Sequence, residues 1–303
     1  TASELNRHFD KWLETGNAVI RHERGSVGWL ITQYRKDERF LDLEDSTQKK
    51  NLICLNALNE KYGDLPADKL SRMVARAYCM SFEAKSRQAL QAAVCRLLYN
   101  FGRDIGAVKE NPFDAMRLSR MKPRQEVWTM ELIATVQEKA LAEGLKSVAL
   151  AVQLGLDTGQ RAGDLRALTW SAYNGKTLRF RQSKTGVFLE VPVMQSLKSM
   201  LDNADRKAPA IMICEATGKP YNKDMLSRKF REVCEKVPGV GNLQFRDLRR
   251  TAVVRLAEHG CTNAEIAAIT GHSLQDTVNI LEVYLPRNST MAQNAIAKLE
   301  PKL

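Results

Sequence analysis

Four short segments hold side chains that can grip an anion, move a proton or act as a nucleophile. Thr158-Gly159-Gln160-Arg161-Ala162-Gly163-Asp164-Leu165 puts Arg161 at the end of an apolar run. Gln182-Ser183-Lys184-Thr185-Gly186 puts Lys184 in a turn. Phe245-Arg246-Asp247-Leu248-Arg249-Arg250-Thr251 sets Arg246 and Arg249 one helical turn apart on a shared face. Gly271-His272-Ser273 follows, and Tyr284 is the only tyrosine after His272. Each has a plainer reading on its own: Arg161 as a surface arginine paired to Asp164, Lys184 as a solvated turn residue, the arginines as part of a basic helix. His272 alone could be a helix start, and Tyr284 could be core.

The overall charge favours an anion. The 303 residues hold 46 Lys and Arg against 35 Asp and Glu, a net of +11, which points to a polyanionic partner, nucleic acid before membrane. The surplus is concentrated: residues 1–68 carry −2, residues 69–124 carry +8 and residues 125–303 carry +5. The +8 block reads either as a footprint for a phosphate backbone or as a solvated helical face. No run approaches the ~18 apolar residues of a membrane span, and the first 25 residues lack a signal-peptide pattern. Cys54, Cys79, Cys95, Cys214, Cys234 and Cys261 lie far apart without a C-x-x-C pair, so they read as reduced, buried thiols and not as disulfides or zinc ligands.

The elements that must position these groups fall into two domains. The first, residues 1–116, reads as helical. Val27, Leu30, Ile31 and Tyr34 form one stripe, Leu52, Leu55, Leu58 and Asn59 a second, and Ala89, Ala93, Leu97 and Phe101 a third. Residues 117–128 read as a basic linker, with four Lys or Arg in 117–124 that would lie well against DNA. The second domain, residues 129–303, opens on a helix capped by Thr129, and the apolar run Val148 to Leu156 calls for a deeply buried helix. Alternation over 177–182 and 187–191, around Ser183-Lys184-Thr185-Gly186, predicts a β-hairpin with a four-residue connection. Helices follow, closing with a short amphipathic one over Met291–Leu299. The fold class expected is mainly α with a small antiparallel sheet.

Taken together and in order, T-G-x-R-x-G-[DE]-L, the hairpin lysine, D-L-R-R-T, G-H-S and the following tyrosine resemble the catalytic domain of the tyrosine recombinases, the phage-integrase family, over roughly residues 129–295. The helical first domain resembles the core-binding domain that precedes it in that family. The resemblance implies a DNA strand-transfer enzyme in which Tyr284 attacks a phosphodiester, leaving a 3′-phosphotyrosyl link and a free 5′ hydroxyl. Arg161 and Arg249 would grip the non-bridging oxygens through planar, permanently charged forks. Lys184, at a mobile hairpin tip, would protonate the leaving oxygen. His272 would donate to the phosphate or help orient the nucleophile, with Asp164 supporting Arg161 and Asp247 beside the arginine pair. No metal or nucleotide cofactor is called for.

One position departs from the family pattern. Where a histidine usually stands three residues before the second arginine, this chain has Arg246. Arginine cannot serve as a base at neutral pH, so the tyrosine proton would leave to water or substrate, with Arg246 as a third phosphate ligand. The partners implied are a double-stranded DNA attachment site and further copies of the chain, a tetramer on DNA, with DNA-bending accessory proteins as candidates. The place implied is the cytoplasm of a bacterial host, at the nucleoid. Family members often carry an arm-binding domain further upstream, and a chain opening on Thr1 is expected to have lost a preceding segment. Three rivals stay open: a catalytically silent DNA-binding protein on this scaffold, a type IB topoisomerase, and a helical protein adaptor.

Overall fold

Between residues 123 and 124 the chain divides into two units. The structure, a computed structural model, describes residues 22–116, 118, 124–284, 292, 293 and 296. Most of the charged stretch 117–124 and of the expected helix over 291–299 therefore lies outside the described residues.

The first unit is helical throughout its described part: α1 (Val27–Tyr34), α2 (Glu38–Leu41), α3 (Asp45–Tyr62), α4 (Arg72–Met80) and α5 (Lys85–Asp104). Ser26 caps α1, its side chain accepting from the Trp29 N–H, and the predicted stripe Val27, Leu30, Ile31 and Tyr34 is buried in full. On α3 the buried face is Asn51, Cys54, Leu55 and Leu58. The stripe expected on α5 needs correction. Ala89, Ala93 and Leu97 face outward, and the helix buries Gln88, Gln91, Ala92, Val94, Cys95, Leu98, Tyr99, Phe101 and Gly102. Gln91 can sit wholly inside because its amide donates to the Cys54 carbonyl (2.7 Å) and the Tyr78 hydroxyl (2.9 Å).

In the second unit, α6 (Met130–Ala142) starts at the predicted Thr129 cap. Around α7 (Lys146–Thr158), buried at eleven of its thirteen positions, pack α6, α9 (Gln195–Asp202) and α11 (Asp247–Glu258). Each large aliphatic side chain so enclosed contributes about 1.5–3 kcal/mol. α8 (Ala162–Ala167), α10 (Lys223–Cys234), α12 (Asn263–Thr270) and α13 (Leu274–Tyr284) complete the helices. Strands β1 (Thr177–Arg181) and β2 (Phe188–Pro192) form an antiparallel pair, from Thr177 opposite Pro192 to Arg181 opposite Phe188. The connection is longer than predicted by strand pairing, 182–187, though the Gln182 N–H still donates to the Val187 carbonyl at 2.8 Å.

Residues 124–128 belong with this unit and not with a free linker. Trp128 is buried, its backbone N–H donating to Thr251 Oγ1 (3.0 Å) and its indole to the Gln244 carbonyl (3.0 Å). Arg124 donates twice to the Asp247 carboxylate, at 2.8 and 3.2 Å. This corrects two expectations. The Arg124 charge is matched inside the unit, and Asp247 serves Arg124 and Arg250, not Arg249.

Among the described residues no helix is long and apolar enough to cross a membrane. All six cysteines are free thiols, five of them buried.

Candidate active site

The site grows from two helices that end in the same way. Gly159 stops α7 and Gly271 stops α12, each in the left-handed conformation (φ 63° and 67°) that glycine adopts without steric cost. The ends meet so closely that a Cβ on Gly159 would fall 2.8 Å from Thr270 Cγ2. A helix C-terminus presents unpaired carbonyls and the negative end of the dipole, so a cation is the natural group to satisfy it. Arg249, on the first turn of α11, fills that place. Its Nη1 donates to the Gly159 carbonyl (2.6 Å) and the Thr270 carbonyl (2.8 Å), and its Nε donates to His272 Nε2 (3.0 Å). Its Nη2 is buried without a partner among the described residues.

This arrangement fixes the state of His272. A guanidinium only donates, so Nε2 must accept, and the neutral ring then carries its proton on Nδ1. That Nδ1 donates to Thr270 Oγ1 (2.9 Å), which in turn donates to the Ile266 carbonyl (2.7 Å). Burial, followed by the charges of Arg249 and Arg161, pushes the His272 pKa down to about 4. Burial and then Arg161 likewise push Arg249 down to about 10. Neutral and committed to Arg249, His272 acts in this structure as an orienting acceptor.

Arg161 stands directly before α8 and is one-third exposed, with its Nη1 3.8 Å from Asp164 Oδ2 and 3.3 Å from Gln182 Oε1. The expected Asp164 support is thus a long contact, and the shorter bonds of Asp164 go elsewhere. Its Oδ1 accepts from the Ser183 N–H (2.9 Å) and the Ser183 hydroxyl (2.7 Å), pinning the residue before Lys184. The lysine turn is therefore tied at its base, while Lys184 itself is exposed and has no partner among the described residues.

Arg246 is exposed just ahead of α11, equally without a partner among the described residues, so only Arg249 of the pair enters the pocket. Tyr284 is the last residue of α13, and Thr277 of that helix is buried. Among the described residues no cluster of His, Cys, Asp or Glu could hold a metal ion.

Several residues given no role from the sequence prove central: Gln160, Gln182, Ser183 and Thr270. Three of them lie inside the quoted motifs and Thr270 directly before one, but glutamine, serine and threonine are ordinarily surface residues and nothing in their spacing marks them.

Residues 128–285, just over half of the chain, match the phage integrase family. The chain belongs to that family. Relatives in it include the integrase of Escherichia phage HK022, 28% identical over 150 residues that make up 48% of this chain and 42% of that protein. The integrase of Enterobacteria phage 434 is 23% identical over 229 residues, 72% of this chain and 62% of that protein. The chain thus spans less than two thirds of the length of these relatives. Among solved structures, a lambda integrase dimer bound to a COC′ core site superposes with a TM-score of 0.76 at 20% identity, covering 87% of this chain and 79% of that one. The Tn1549 transposon integrase in complex with circular intermediate DNA gives 0.71 at 15% identity, covering 91% and 99%. At such identities the likeness speaks for the fold, which is mainly helical with one small antiparallel sheet, as expected from the sequence.

Proposed function

We propose that the chain is a site-specific DNA recombinase of integrase type, cleaving and rejoining strands through a 3′-phosphotyrosyl intermediate. The observation that carries this reading is the buried Arg249: fixed by two helix-end carbonyls and His272, and opposed by the charge of Arg161, it keeps one buried nitrogen without a partner among the described residues. Two like charges that oppose each other, with an unused donor on one, call for an anion, and a non-bridging phosphate oxygen carries the right charge.

In the cleavage step the Tyr284 oxygen bonds to phosphorus and the bond from phosphorus to the 5′ oxygen breaks. Arg161 and Arg249 stabilise the added negative charge, and Lys184 hands a proton to the departing 5′ oxygen. The tyrosine proton leaves to water or substrate, because Arg246 cannot accept it. Arg246 serves as a third phosphate ligand. Strand rejoining reverses these bonds, with the new 5′ hydroxyl as nucleophile.

The first unit, by this reading, is the core-binding domain, and its block of positive charge over 69–123 follows the DNA backbone. The working assembly is a tetramer on a paired attachment site, supported by the lambda integrase tetramer crystallised on a Holliday junction. DNA-bending accessory proteins and a place at the bacterial nucleoid fit the same reading.

The test uses a duplex recovered by binding selection from a randomised library on the full chain, then nicked so that cleavage cannot reverse. Wild type should be trapped on the DNA in a denaturing gel, and Tyr284→Phe should leave no covalent band while binding equally well. Tight binding with no band from wild type would favour the catalytically silent DNA-binding protein, for which the Arg246 departure is the one pointer.

A further inference from the structure

Gln182 is wholly buried at the base of a turn whose next six residues, 183–188, are all exposed. No step of the proposed reaction uses it, yet every hydrogen-bonding position of its amide is filled. Its Nε2 donates to Gln160 Oε1 (2.6 Å) and the Thr270 carbonyl (2.9 Å). Its Oε1 accepts from Thr185 Oγ1 (2.7 Å) and Arg161 Nη1 (3.3 Å). Partners without a choice set the amide's orientation, since a carbonyl only accepts and a guanidinium only donates.

The backbone around it is shaped to fit. A Cβ on Gly271 would lie 2.5 Å from Gln182 Nε2, so the glycine beside His272 is what lets the amide reach Thr270. Lys184 is consequently bracketed: Asp164 holds Ser183 before it, and Gln182 holds Thr185 after it. The two braces differ. Asp164 ties the turn to α8 and reaches Arg161 only at 3.8 Å, whereas Gln182 joins the turn to Arg161 at 3.3 Å and to Thr270, whose carbonyl also binds Arg249.

We infer that Gln182 is a positioning residue that holds the lysine turn in register with the two phosphate-gripping arginines, an inference that rests on the recombinase reading above. Without its amide, Thr185 loses its anchor and Lys184 no longer meets the 5′ oxygen. The grip on phosphate persists, because the carbonyls of Gly159 and Thr270 still fix Arg249, and Arg161, which loses its 3.3 Å bond to the amide, keeps its ion pair with Asp164. The predicted defect is therefore in proton delivery and not in charge stabilisation.

A pair of substrates separates these effects. The first is the selected, nicked duplex described above; the second is the same duplex with sulfur in place of the bridging 5′ oxygen. A thiol's pKa of about 8.5 lets the sulfur depart as an anion, so its loss needs no acid. Gln182→Ala should cleave the oxygen substrate about 10²-fold more slowly than wild type, and the sulfur substrate within about threefold of it. Lys184→Ala should show the same pattern, and Arg161→Ala should be slow on both. Thr185→Val, an exposed change that spares the core, should give a milder version, about tenfold on oxygen and rescued by sulfur.

Equal slowing of Gln182→Ala on both substrates would overturn the positioning role, as would unchanged cleavage of the oxygen substrate by Thr185→Val and Gln182→Ala. Failure of wild type to cleave either duplex would instead overturn the recombinase reading, and this inference with it.

Discussion

Arg249 and Arg246 stand three residues apart at the start of one helix, and their surroundings are opposite. Arg249 is buried, bonded to two carbonyls and a histidine, and tuned by its neighbours. Arg246 is exposed, with no partner among the described residues. The same split separates His272, committed within the pocket, from Lys184, which extends from a braced turn into solvent. The site thus has a part built before DNA arrives and a part left open to it. Stabilising charge in a transition state needs dipoles and cations that do not reorganise, so rigidity serves the first part. A proton donor must reach an oxygen that only the bound duplex supplies, so exposure serves the second.

The largest effect should come from disturbing the built part. Arg249→Lys keeps one positive charge but loses the planar fork that serves Gly159, Thr270, His272 and phosphate together. The rate of covalent-complex formation should fall about 10²–10³-fold, as for loss of a preorganised donor. Single-turnover cleavage of the selected duplex measures it. A loss of only a few-fold would mean that the pocket tolerates a point charge and that its carbonyl bonds do not matter to the chemistry.

Next in size is a pH effect on the same pocket. His272 titrates at about 4 when folded, against about 6.5 when free, so the unfolded chain binds its proton first. The stability due to the neutral ring is complete above pH ~6.5 and is lost as pH falls toward ~4, below which it changes no further. Between pH 7 and 4.5 wild type should lose about 2–3 kcal/mol more than His272→Gln in denaturant titrations. Parallel curves would show that the ring is not held neutral against Arg249.

Much of this contrast was hidden in the sequence for a physical reason. Ordered motifs named Arg161, Lys184, Arg249 and His272, and periodicity located α1, α6, α7 and the hairpin. Burial of a polar side chain, however, depends on partners that lie far along the chain. Gln182 bonds to Thr270 across 88 residues and Gln160 to Ile269 across 109, so no local pattern could mark either amide. The error on α5 has the same origin. Ala89, Ala93 and Leu97 look like a core stripe only if glutamine is assumed to face water, whereas Gln91 is sheltered by its bonds to α3 and α4. Asp247 stands beside the Arg246 and Arg249 pair in the sequence, but its carboxylate turns to Arg124. Hydrophobic patterning fixes which helices form; the pairing of buried polar groups decides what they hold in place.

The smallest effect should come from the open part. Arg246→Gln removes a charge that contributes nothing visible to the fold, so unfolding stability should change by less than about 0.5 kcal/mol. If its role is to meet a phosphate, the loss should appear only on DNA: weaker binding, and a plot of log affinity against log salt whose slope falls in magnitude by about 1. Fluorescence anisotropy on the selected duplex between ~50 and ~200 mM salt reads that slope. A clear drop in melting temperature would place Arg246 with Arg249 in the built part and erase the contrast. An unchanged slope with unchanged stability would leave the arginine idle, and the open part would then reduce to Lys184 alone.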